Sequence, residues 1–217
     1  MSSLATANGG GQPQTPRAVV IDAGVGNLGN LERALRSLGA AVEVTDRPEP
    51  IAAARCLLLP GVGAFRPPRE RLRGALEQAL RAALDRGAHL LGICVGYQLL
   101  FGGSDEFGST DGLALIEGSI CRLPDTVPLP HIGWNSLEGL SPHPLLAGIE
   151  EGSYAYFVHS FAPDGVPAAA TLASALHGRR FAAVAGAGRV LGTQFHPEKS
   201  AEIGLRLLAN FLEISAS

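Results

Sequence analysis

The sequence predicts a single α/β domain with a mostly parallel central sheet, flanking helices and an antiparallel edge. Three observations carry this expectation. Short apolar runs alternate with helical patterns over residues 18–101. One of those runs, HLLGI at 89–93, lacks polar alternation, as a central parallel strand buried on both faces should. From Gly112 to Leu191 the segments become short and rich in Gly and Pro, the pattern of hairpins.

The elements follow in order. AVVID at 18–22 reads as a strand, and Leu28, Leu31, Leu35 and Leu38 then recur at helical spacing, with Gly39 placed to cap the helix. AVEVT at 41–45 is a second strand. CLLLP at 56–60 is a third, stopped by Pro60. Leu72, Leu76, Ala79, Leu80 and Leu84 mark a helix that closes near Gly87, and HLLGI leads into another helix near Cys94. In the second half, LALIEGSICRL, HIGWNSL, YAYFVHSF and FAAVAGAGRVLGTQF read as strands and hairpins at one edge, with PDTVPLP at 124–130 as an extended loop. Residues 201–213 form a closing amphipathic helix.

Bulk properties narrow the function. The chain has 217 residues, enough for one domain with a substantial core. Residues 1–16 are Gly-, Gln- and Ser-rich without an apolar stretch, so they read as a disordered tail and not a secretory signal. The folded domain is expected over 17–217. A net charge of −3 gives no basic surface for nucleic acid or an anionic membrane. Three cysteines, Cys56, Cys94 and Cys121, are too few and odd for a disulfide framework and suit the cytoplasm. Cys56 and Cys121 lie in apolar runs and are expected to be buried. No metal or cofactor is called for.

Cys94 is different. Gly92-Ile93-Cys94-Val95-Gly96 joins a strand to a helix in a G-x-nucleophile-x-G pattern. Glycines on both sides allow a tight, strained turn that projects the sulfur from the sheet's carboxyl edge. A helix N-terminus there favours thiolate, and the Val95 N–H is placed to meet an oxyanion. A nucleophile needs a base. Gln194-Phe195-His196-Pro197-Glu198 ends a strand in a histidine, a rigid proline and a carboxylate. An extended i, i+2 pair points one way, so Glu198 is expected to orient the His196 ring while His196 takes the thiol proton. None of His89, His131, His143, His159 or His177 has a comparable setting.

With G-x-C-x-G and H-P-E in place, the sequence resembles the class I glutamine amidotransferases, and within them the glutaminase branch of imidazole glycerol phosphate synthase, from histidine biosynthesis. The narrower likeness rests on Pro60-Gly61-Val62-Gly63-Ala64-Phe65, on Gly92 to Phe101, on Pro130-His131-Ile132-Gly133-Trp134-Asn135, on Tyr156-Phe157-Val158-His159-Ser160 and on Gly192 to Lys199. The resemblance implies that fold and the hydrolysis of glutamine to glutamate and ammonia. It implies an oxyanion loop at Gly61, Val62 and Gly63. Gln98 and Glu106 would contact glutamine, and His159, Ser160 and Phe161 would line its pocket. Asn27, Trp134, Asn135 and Lys199 would face a (β/α)8-barrel cyclase partner, to which ammonia passes. Ala23, Val95, Tyr97, Phe161, Gly102 and Gly103 depart from the family's usual residues without removing a catalytic group.

Other readings compete. Gly24-Val25-Gly26-Asn27-Leu28-Gly29 fits a dinucleotide fingerprint, with Glu43 or Asp46 about twenty residues on, so an NAD-binding protein is an alternative. It explains one segment where the amidotransferase reading explains five. A silent binding subunit would need a broken triad. A subunit of another synthase would more commonly carry PGPG than PGVG in the loop.

Overall fold

The computed structural model describes residues 16–216. The tail expected over 1–16 therefore lies outside the described residues, save Pro16. In chain order the first half contains β1 (Arg17–Ile21), α1 (Leu28–Ser37), β2 (Ala41–Thr45), α2 (Pro48–Ala53), β3 (Cys56–Gly61), α3 (Arg66–Leu72), α4 (Ala75–Asp85), β4 (His89–Cys94) and α5 (Val95–Gln98). The second half contains β5 (Gly103–Ser104), β6 (Thr110–Asp111), β7 (Ser119–Arg122), β8 (His131–Ser136), β9 (Tyr154–His159), β10 (Phe161–Asp164), β11 (Thr171–His177), β12 (Arg179–Ala187), β13 (Val190–Thr193) and α6 (Ala201–Ala216).

Seven strands form the central sheet in the order β11-β12-β13-β4-β3-β1-β2. β2, β1, β3, β4 and β13 run parallel, and β12 and β11 add the antiparallel edge. The apolar runs of β1, β3 and β4 are explained by burial on both faces. Alternate side chains go to opposite cores. Ala18, Val20, Leu58, Leu91 and Ile93 face the α1 and α6 side, with Leu31, Leu35, Leu207 and Phe211. Val19, Ile21, Leu57, Leu59 and Leu90 face the α2 and α4 side, with Ile51, Leu76 and Leu80.

Four expectations change. The helix read across Leu72 to Leu84 is two helices, because Gly74 takes φ +81° between them. The second-half strands do not gather at one edge. β10, β7, β5 and β6 form a separate four-stranded sheet, and β8 and β9 a two-stranded one. β13 leaves its hairpin with β12 to lie parallel to β4 in the middle of the molecule. Cys121 is half-buried, because the strand alternation of β7 turns Ile120 inward instead. Cys56 is buried as expected.

Candidate active site

The sheet register brings the predicted residues together. β3 pairs with β4 so that Gly61 lies opposite Cys94. β13 pairs with β4 on its other side, Thr193 opposite Ile93. The Gly61–Gly63 loop and the Gln194–Glu198 run therefore leave the same carboxyl edge, on either side of the nucleophile.

The elbow at Cys94 is strained. Cys94 has φ +55° and ψ −109°, a region that non-glycine residues rarely occupy. The flanking glycines serve close approach. A Cβ on Gly96 would stand 1.7 Å from the Leu59 carbonyl oxygen, and one on Gly92 would stand 2.7 Å from Tyr97 Cα. The helix that follows is a single turn, Val95–Gln98, so its dipole is small. Local N–H groups at the start of that turn, not a long helix axis, are what it offers a negative charge.

His196 is 2% exposed. Its Nδ1 lies 2.8 Å from Glu198 Oε1. The expected extended pair does not make this contact; Pro197–Lys199 forms a 3₁₀ turn that brings Glu198 to the Nδ1 edge of the ring. Nε2 makes no hydrogen bond of ordinary geometry and is left for the Cys94 side. Burial pushes the ring toward its neutral form. Hydrogen bonding with Cys94 and Glu198, and their charges, outweigh this and raise the pKa to about 10. Phe195 packs behind His196 against Phe157, ring centroids 5.7 Å apart, and such pairs contribute about 0.5–1.5 kcal/mol each.

A cavity of about 130 Å³ opens beside the sulfur. Cys94, Val95, His196, Val62, Gly63, Gln98 and Glu106 line it, and His159-Ser160-Phe161 closes one side with Val158. Glu106 Oε2 accepts the Phe65 N–H at 2.8 Å. Both Gln98 side-chain N–H groups are committed, one to the Phe161 carbonyl at 2.9 Å and one to Gln194 Oε1 at 3.2 Å. Only the Gln98 carbonyl oxygen is free for a ligand.

Sequence reasoning missed Gln194 and Val158. Gln194 is fully buried and its amide donates to Cys94 Sγ at 3.9 Å, while the thiol donates to the Val158 carbonyl at 3.9 Å. A signal was present: Gln194 is an amide inside an apolar run, two residues before His196, although β13 ends at Thr193 and both residues lie just beyond the strand.

Behind the pocket wall, β8 and β9 pair with His131 opposite His159. The Phe161 carbonyl can only accept, so His159 donates to it from Nδ1, 2.9 Å away. Burial lowers the His159 pKa to about 3, leaving Nε2 as acceptor for His131 Nδ1–H at 3.1 Å. Burial likewise lowers His131 to about 4, and its Nε2 accepts from Asn135 Nδ2 at 3.3 Å. Asn135 thus points inward, away from the face that carries Trp134, and also donates to the Leu176 carbonyl. Trp134 is 52% exposed and meets the Tyr156 ring edge-on, and Lys199 Nζ lies 5.9 Å from that ring's centre. Asn27 caps α1, its side chain accepting the Asn30 N–H.

A larger cavity, about 320 Å³, lies at the opposite end of the sheet beside Cys56. Burial pushes that thiol up to about 11 against a hydrogen bond with Ser215, so it is no competing nucleophile. Among the described residues no helix is long and apolar enough to cross a membrane.

Comparison with known proteins places this geometry. The glutamine amidotransferase class-I family matches residues 19–214, which includes the Gly24–Gly29 turn between β1 and α1. The imidazole glycerol phosphate synthase subunit HisH of Symbiobacterium thermophilum is 48% identical over 90% of this chain and 92% of its own length. That of Methanosarcina barkeri is 44% identical over 91% and 98%. A crystal structure of a glutamine amidotransferase aligns with a TM-score of 0.72 at 22% identity, covering 92% of this chain and 99% of that one. A putative GMP synthase subunit from Thermoplasma acidophilum gives 0.71 at 19% identity, covering 94% and 96%. These last two likenesses carry the fold. The chain belongs to the class-I glutamine amidotransferase family, and within it to the HisH subunits of imidazole glycerol phosphate synthase.

Proposed function

We propose that the chain hydrolyses glutamine to glutamate and ammonia through a thioester on Cys94. The ammonia passes to a cyclase subunit that makes imidazole glycerol phosphate and AICAR in histidine biosynthesis. The observation that carries this reading is the meeting of Cys94 and His196 at one cavity, beyond the ends of neighbouring parallel strands, with Glu198 held against Nδ1 of the His196 ring.

The chemistry follows from the groups. Cys94 sulfur attacks the side-chain amide carbon of glutamine. The oxyanion forms between the Val95 N–H and the Gly61-Val62-Gly63 loop, where one such donor is worth about 3–4 kcal/mol of barrier. His196, which holds its proton at neutral pH, gives it to the departing ammonia. The neutral ring then takes a proton from water, which cleaves the thioester and restores the sulfur. Glu198 keeps the ring in register throughout. Glu106 holds the substrate's α-ammonium, Gln98 contacts the substrate beside it, and His159, Ser160 and Phe161 wall the pocket. Trp134 and Lys199, with Asn27, present the surface for a (β/α)8-barrel partner. The reading places the reaction in the cytoplasm, where a nucleophilic thiol stays reduced.

Cys94→Ala tests it. With the cyclase present, the variant should make no imidazole glycerol phosphate from glutamine, yet retain full synthesis from added ammonium. Equal loss of both activities would sink the scheme.

A further inference from the structure

Beyond the triad, the nucleophile has a second neighbour whose chemistry is unused in the mechanism above. Gln194 is a fully buried amide with its NH2 group aimed at Cys94 Sγ, 3.9 Å away. Its orientation is fixed at the other end. Gln194 Oε1 accepts from Gln98 Nε2 at 3.2 Å, and the same nitrogen donates to the Phe161 carbonyl at 2.9 Å. An amide flip would set Gln194 NH2 against Gln98 NH2, two buried donors with no acceptor between them. The chain of bonds is therefore one-directional: Gln98 donates to Gln194, and Gln194 donates to sulfur.

Apart from His196, the sulfur has two contacts, and they respond oppositely to its charge. The Val158 carbonyl can only accept, so it holds the thiol and opposes the thiolate. The Gln194 amide can only donate in this orientation, so its bond strengthens when the proton leaves. We propose that Gln194 is a positioning residue that aims the Cys94 sulfur and stabilises its negative form, locked in place by Gln98 and the Phe161 carbonyl. This rests on Cys94 being the nucleophile. It gives Gln98 a duty separate from substrate contact, through its two N–H groups.

The test is the pH profile of Cys94 alkylation by iodoacetamide in the full chain, followed by the mass of the Cys94 peptide. Gln194→Met keeps the length and loses the donor; Gln194→Glu keeps the shape and turns a carboxylate toward the sulfur. The variant removes a hydrogen bond to the charged sulfur, so the midpoint in Gln194→Met should rise by about one pH unit. At a given pH below the midpoint, that is roughly tenfold slower alkylation. Gln194→Glu should shift at least as far, and either variant suffices if the other does not fold. Glutamine-dependent kcat should fall roughly tenfold with little change in KM, while ammonia-dependent synthesis stays intact. A wild-type midpoint in a folded variant overturns the proposal. If alkylating Cys94 in the wild-type chain leaves glutamine hydrolysis untouched, the nucleophile assignment itself fails, which is a different result.

Discussion

At the scale of single residues, the site is built from constraints that leave few alternatives. Gly96 has no room for any side chain over the Leu59 carbonyl, and Cys94 is left to carry the strained φ that its glycine neighbours do not need. The pattern G-x-C-x-G was readable because this crowding admits only glycine on each side. H-P-E was readable for another reason: proline fixes how a histidine leaves its strand. The turn by which Glu198 reaches the ring was not, since 3₁₀ and extended continuations both follow a proline. Glu198→Gln should lower the His196 pKa from about 10, because one of the groups that raise it loses its charge. The same change should reduce kcat by a factor on the order of 10²–10⁴. NMR titration of the ring and steady-state glutaminase assays with the cyclase check both, and an unmoved ring pKa would contradict the geometry.

At the scale of elements, the two-stranded pair β8–β9 does more than present Trp134. Its register sets His131 against His159, and a chain of single-direction hydrogen bonds runs from Asn135 to the Phe161 carbonyl in the pocket wall. His131→Leu removes the donor to His159 Nε2 and leaves a buried acceptor unmet, at a cost of about 1–3 kcal/mol. The variant should lose that much stability and show a raised KM for glutamine. His131→Asn keeps an N–H near the position of Nδ1 and should recover most of both. Urea unfolding and glutamine saturation curves read the pair; equal behaviour of the two variants would count against the chain. The strand propensity of HIGWN and YAYFVH was visible in sequence, but the pairing of two strands about twenty residues apart was not. Alternation likewise fixes that Asn135 opposes Trp134, yet not which face is solvent. The very short β5 and β6 carry too few residues for any period to show, and α2, opened by Pro48 and Pro50, reads as a turn.

For the molecule as a whole, the parallel order of the first half was legible because each apolar run is long enough to declare burial on both faces. The insertion of β13 beside β4 was not, since nothing local distinguishes an edge hairpin from one whose second strand crosses into the centre. Charge behaves globally too. His159 and His131 have pKa values of about 3 and about 4 against an ordinary 6.5. The unfolded chain takes up protons there that the folded chain refuses, so stability should fall as pH drops from 6.5 toward 3. His196 has the opposite sign. Raised to about 10, its contribution is complete below 6.5 and is lost as pH climbs toward 10. Unfolding free energies across this range should peak near neutrality, and a profile that rises or falls monotonically would refute the assignment. The separation of β4 from β13 also has a consequence in time. Cys94 leaves the ribosome about a hundred residues before His196, on the order of 5–20 s at ordinary synthesis rates. Until the last strand is threaded beside the first-made ones, the nascent chain carries its thiol with no base and no Gln194, so glutamine in the cell meets an inert cysteine. Completion of translation is thereby the first safeguard against releasing ammonia with nowhere to send it.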